Sequence, residues 1–162
     1  MRTLLAFVLL ATPLLSQKSP HETVTGTAGS AHITVTYGRP SLRNRTVGKE
    51  IAPYGEVWRL GADAATTLTT DKDITLGTLA VPAGTYALFA LPSASGWKLI
   101  VNKTAKQWGL DYDKNKAEDL GQTDLNVTKL PQPVEQFTMA IADGKLKFMW
   151  GTTAAEAPIK VQ

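Results

Sequence analysis

Two runs of alternating apolar residues, joined by an Asp-Gly pair, constrain this chain more than any other feature. Phe137, Met139 and Ile141 alternate with polar or small residues, Asp143-Gly144 follows, and Leu146, Phe148 and Trp150 alternate on the return. A period of two sends successive side chains to opposite faces of a strand, and Asp-Gly supplies the positive φ angles of a two-residue type I′ turn. The pattern predicts an antiparallel hairpin with one buried face. Ile33, Val35 and Tyr37 alternate in the same way, which sets His32 on the opposite face. Shorter strands are expected over 23–27, 57–60, 66–69, 74–79, 86–91, 97–101, 125–130 and 158–161, with a Pro-to-Gly turn at 82–84. One helical turn is expected at 104–108. Regularly spaced strands separated by turn signals predict an all-β fold, a two-sheet antiparallel sandwich with a jelly-roll-like arrangement.

A positive residue, Arg2, precedes the apolar stretch from Leu4 to Leu15, which closes on Ser16. That order is the order of a secretory signal peptide, and the stretch is shorter than the ~20 residues a bilayer span requires. The expected organisation is a signal at 1–16, a leader at 17–22 and a single β-sandwich domain at 23–162. Localisation is expected to be exported, periplasmic or extracellular, with no stable membrane insertion after signal cleavage. The chain has no cysteine, so disulfides, thiolate chemistry and cysteine-held metals are excluded. Loss of Arg2 lowers the formal charge from +3 to +2. Lysines and acids interleave as in Asp71-Lys72-Asp73, the pattern of a solvated face, and a nucleic-acid partner is not expected.

The segment 37–67 reads differently from the rest. It holds every arginine after Arg2, namely Arg39, Arg43, Arg45 and Arg59, and it has neither a helical nor a clean strand period. A planar guanidinium grips a carboxylate, phosphate or sulfate through paired hydrogen bonds, so Tyr37, Arg39, Arg45, Tyr54, Trp58 and Arg59 form the candidate ligand-binding set. The alternative is structural: Arg59, near Glu56 and Asp63, would be a partly buried ion-pair partner, with Arg39 and Arg45 the exposed members.

Tyr37 with Arg39-Pro40, Val57-Trp58-Arg59 with Gly61-Ala62, and Gly84-Thr85-Tyr86 resemble the bacterial exported family known as domain of unknown function 2911. The resemblance spans about residues 19 to 161. It implies no activity and no catalytic residues. Members typically carry Asn-Glu after the Gly-Ala, where this chain has Asp63-Ala64, so any role of that glutamate does not carry over.

Other chemistry is sparse. His21 and His32 are the two histidines, and no Gly-x-Ser-x-Gly elbow accompanies them. Asp111, Asp113 and Asn115 open like a calcium loop, but Lys116 and Gln122 stand where glycine and glutamate are needed. Trp97, Trp108 and Tyr112 are candidates for an aromatic sugar platform. No cofactor and no metal is expected, and catalytic residues are unassigned. The reading is a non-catalytic β-sandwich binding a small anionic or carbohydrate-like envelope ligand. Its alternatives are a cell-envelope hydrolase with an acid pair such as Glu56 and Asp63, and a protein-docking module using an exposed sheet edge. Mass spectrometry of the secreted protein should find a mature N-terminus near Gln17; recovery of the intact Met1 form in membranes alone would contradict the signal reading.

Overall fold

A computed structural model describes residues 18–162; the expected signal segment lies outside them. Nine strands form one antiparallel, open sheet: β1 (His21–Ala28), β2 (Ala31–Gly38), β3 (Thr66–Thr70), β4 (Ile74–Leu76), β5 (Leu79–Val81), β6 (Gly84–Pro92), β7 (Trp97–Asn102), β8 (Asp119–Ala142) and β9 (Lys145–Val161). Their spatial order is β1-β2-β3-β6-β7-β8-β9-β4-β5. The expected leader gives its last two residues, His21 and Glu22, to β1. The all-β, antiparallel expectation is met, whereas the division into two sheets is not confirmed. The physical reason is the length of β8 and β9, 24 and 17 residues, which link both halves of the sheet into one. β8 pairs with β7 up to Leu125 and with β9 from Asn126 onward. Its register shifts twice between Lys129 and Thr138, around Pro131 and Pro133, which have no N–H to give to a ladder.

The sheet curls so that its β2 end meets the far half of β8. Phe137 N donates to Pro40 O at 2.9 Å, Ser41 bridges Gln136, and the Tyr37 and Phe137 rings meet edge to face at 5.6 Å. Gly26 permits the approach on β1: a Cβ there would lie 2.6 Å from Ile141 Cγ2. The enclosed core holds Ile33, Val35, Tyr37, Phe137, Met139, Leu146, Phe148 and Trp150 of the alternating set, joined by Leu68, Leu88, Leu99 and Val101 from the middle strands, while Ile141, also in that set, is only partly buried against it. His32 is exposed on β2 opposite that face.

β6 is buried on both faces. Tyr86, Leu88 and Ala90 face the main core, while Ala87 and Phe89 join Ala65 and Ile100 in a smaller cluster. The cover on this outer side is the 103–118 connection, whose Tyr112 ring packs 4.8 Å from Phe89. Helix is absent at 104–108. There the Gln107 side chain takes the carbonyl that the first turn of a helix would use, Gln107 Nε2 donating to Thr104 O. Instead a short helix, α1 (Tyr112–Asn115), runs into a 3₁₀ turn at Lys116–Glu118. Among the described residues no helix is long and apolar enough to cross a membrane.

The β8–β9 hairpin closes on Asp143 and Gly144 at φ 55° and 65°, both left-handed as a type I′ turn requires. A β-branched residue is strained there, so Gly144→Val should lower stability by more than ~1 kcal/mol, read from the urea midpoint. An unchanged midpoint would contradict the turn assignment.

Candidate functional site

Between β2 and β3 the chain crosses the end of the curled sheet through residues 39–65, with isolated bridges but no strand of its own. The expected strand at 57–60 reduces to one such bridge. Trp58 N donates to Ala90 O at 2.7 Å and Ala90 N returns the bond to Trp58 O at 2.9 Å, after which Leu60 turns left-handed at φ 49° and ends the extension. Of the six non-glycine residues with positive φ among the described residues, five are in this crossing: Arg43, Asn44, Ala52, Leu60 and Asp63. Such conformations cost on the order of 1 kcal/mol or more each and persist only where their surroundings over-determine them. Here the surroundings are tight. A Cβ on Gly38 would lie 2.3 Å from Ala62 O, and Thr66 Oγ1 donates to the buried Leu60 carbonyl at 2.6 Å.

The crossing walls a groove of about 870 Å³. Trp58 and Trp150, stacked at 5.6 Å, line it, as do Gly109, Leu110, Tyr112 and Asp113 of the outer connection. Four cations line it, Lys18, Arg43, Arg45 and Arg59, against four acids, Glu50, Glu56, Asp63 and Asp113, so its formal charge balances. Among the described residues no ion pair engages Arg43, Arg45 or Arg59. Asp63 pairs instead with His21, Oδ2 to Nε2 at 3.1 Å. Glu50 accepts the Thr46 N–H, which holds its carboxyl below the ordinary value and keeps it ionised at neutral pH. That shift is opposite in direction to the one a general acid needs. Across the His21–Asp63 pair lies a second, more apolar hollow of about 500 Å³, walled in part by Tyr37, Ala65 and the half-exposed Trp108.

The structure brings three of the six sequence-selected residues to the groove: Arg45, Trp58 and Arg59. Arg45 turns its guanidinium back on its own loop, donating from Nε to Leu42 O and from Nη2 to Ser41 O. Trp58 is mainly core, 9% exposed. Tyr37 is buried; its hydroxyl donates to Glu22 Oε2 and accepts from Met139 N, and burial raises its pKa. Tyr54 is exposed and packs over Gly48, away from the groove lining. Arg39 is the structural arginine. Its Nη1 meets Glu22 at 2.9 Å, Nε donates to Phe137 O and Nη2 to Thr138 Oγ1, fastening β1 and β2 to β8. Arg39 therefore takes the ion-paired role expected of Arg59, while Arg59 is half-buried with no ion pair among the described residues; neighbours on an extended segment point opposite ways, so Arg59 faces away from the side on which Trp58 is buried.

Arg43, Glu50, Gly109, Leu110 and Asp113 line the groove without having been selected from sequence. The 109–113 group lies far beyond the crossing in sequence, past β3 to β7, and reaches it only through tertiary folding. Tyr112 also lines the groove but is fastened, donating to Asp119 Oδ2 at 2.6 Å with its pKa raised by burial. Trp97 is buried, so the expected aromatic platform is not assembled from Trp97, Trp108 and Tyr112. Asp111 accepts from Lys114 Nζ at 2.6 Å, and its loop is wound into α1.

A family described as a protein of unknown function, DUF2911, matches residues 19–159. The chain belongs to DUF2911. No curated protein and no solved structure matches it. The match takes in all of the crossing and the groove walls except Lys18, so the groove belongs to the DUF2911 domain itself.

Loss of Arg39 removes three hydrogen bonds worth about 1 kcal/mol each. Arg39→Met should therefore lower stability by about 2 to 3 kcal/mol, whereas Arg59→Met should cost less than about 1 kcal/mol. Urea denaturation of the two variants checks this. A larger loss for Arg59→Met would restore the original assignment.

Proposed function

We propose that this DUF2911 protein is an exported binding protein, without covalent chemistry of its own, whose ligand is a small anionic or carbohydrate-like molecule of the cell envelope. The observation that carries the reading is a concave, mixed-charge groove holding three arginines that no carboxylate neutralises among the described residues. Ordinary loop arginines exposed to water need no explanation, but a partly buried one facing a cavity leaves donors that a ligand can satisfy. Left-handed non-glycine residues gather around it, a feature shared with ligand clamps and active sites. Export rests on the Arg2 and Leu4-to-Leu15 pattern.

Hydrolysis by an acid pair is less well supported. Asp63, one of the two acids expected, is engaged by His21, and Glu50, held in its ionised form, is unsuited to the general-acid role. A thermal-shift screen of the mature domain against sugars, organic acids, phosphate and divalent cations tests the reading. A ligand at a hundredfold excess over its Kd stabilises by ~2.7 kcal/mol, a rise in Tm of several degrees for a domain of this size. Silence across all of these classes would sink the binding reading.

A further inference from the structure

Arg59 differs from the other groove arginines in how it is held. Its stem runs beneath Gly109, where a Cβ would lie 2.6 Å from Arg59 Cδ and 3.0 Å from Arg59 Cβ. Gly109 is itself pinned, donating its N–H to Asp63 O at 3.0 Å. At the other end of the side chain, Arg59 Nε donates to Gly61 O at 3.3 Å. A Cβ at 109 would also lie 2.7 Å from the backbone oxygen of Asp63, so glycine there is required by the Asp63 backbone as well as by the Arg59 stem, and the single bond at Nε leaves Nη1 and Nη2 without partners among the described residues. Two parallel donors on a preorganised planar group match the two oxygens of a carboxylate. Arg45 presents no such fork, because its Nε and Nη2 are spent on Leu42 O and Ser41 O.

Charge and lining narrow the ligand further. Four acids share the groove with four cations, so a single negative charge can be accommodated at Arg59 while a dianion such as phosphate meets the surrounding carboxylates. The carboxyl oxygens of Glu56 and Asp113 offer hydrogen-bond acceptors, which suits a ligand carrying hydroxyl donors. Val57 and Leu110, 37% and 73% exposed on the same groove, offer apolar surface for the C–H face of a ring. The volume lies in the range of ~300 to 1,000 Å³ common for drug-sized ligands, more room than one sugar ring fills. We infer that the groove recognises a sugar acid through a two-pronged Arg59–carboxylate contact, and that Gly109 is the positioning residue that sets this fork. The inference rests on the groove being a ligand site and names the class of ligand. A uronic acid supplies this chemistry either as a free monosaccharide or as a residue of an acidic glycan.

Isothermal titration of the mature protein with D-galacturonate, tetragalacturonate, D-galactose and inorganic phosphate, on wild type, Arg59→Lys and Gly109→Ala, tests it. Galacturonate should bind at least about tenfold more tightly than galactose or phosphate. Arg59→Lys keeps the charge but loses the fork, and should weaken galacturonate about tenfold or more while leaving the urea midpoint in place. Gly109→Ala should weaken galacturonate too; if that variant does not fold, Arg59→Lys decides alone. Tighter binding of the tetramer than of the monomer identifies a glycan, and equal binding a free sugar acid, with the carboxylate contact upheld in both cases. Equal affinity for galactose and galacturonate, or Arg59→Lys without effect, overturns the inference while leaving a ligand groove in place. No binding by any of the four probes overturns the inference, and only a silent wider screen would remove the groove reading with it.

Discussion

The fold depends on Trp58 more than on any strand. Its ring meets Trp97 at 6.3 Å, Phe137 at 5.2 Å, Phe148 at 6.1 Å and Trp150 at 5.6 Å, so one side chain from an irregular crossing touches residues of β7, β8 and β9. Aromatic pairs of this kind contribute about 0.5–1.5 kcal/mol each beyond the area they bury. The paired backbone bonds to Ala90 add β6 to the same knot. A curled, open sheet leaves its mouth without a layer to cover it, and Trp58 is the plug that fills that mouth. The strained residues on either side of it follow: Ala52 and Leu60 adopt left-handed backbone because the chain must enter and leave a fixed point in a short distance.

Much of the sheet was legible in the sequence because its inner face is apolar at a strict period of two. The hairpin at Asp143-Gly144, the β2 alternation and the middle strands all carry that signal. Sheet continuity was not legible. Which strand pairs with which is a long-range property, and Pro131 and Pro133 disguise β8 as two short pieces although the ladder passes them through register shifts. The 74–79 strand divides into β4 and β5 for a local reason: Gly77 turns at φ 60°, and a Cβ there would meet Thr123 Oγ1.

The candidate site was legible as a place but not as a set of roles. Concentration of arginine in 37–67 marked the crossing correctly, because arginine is chosen over lysine where planar, directed donors matter. Their individual environments depend on distant partners. Arg39 finds Glu22 and the backbone at Phe137, almost a hundred residues away, while the acids nearest Arg59 in sequence engage elsewhere or stay solvated. Alternation across Trp58 and Arg59 was the one available clue that the two side chains part company.

Strands β8 and β9 are continuous, yet the groove is assembled from pieces: Lys18, the 39–63 crossing, the 109–113 wall and Trp150. None of these stretches forms the cavity alone, and the crossing is held by caps and single bridges rather than by a ladder. Thermodynamic linkage then has a particular form here. Any partly open state in which the crossing or the outer connection has lifted has lost the cavity, so an occupant would count against local opening as fully as against global unfolding. Occupancy would thereby make the least regular part of this molecule as cooperative as its sheet.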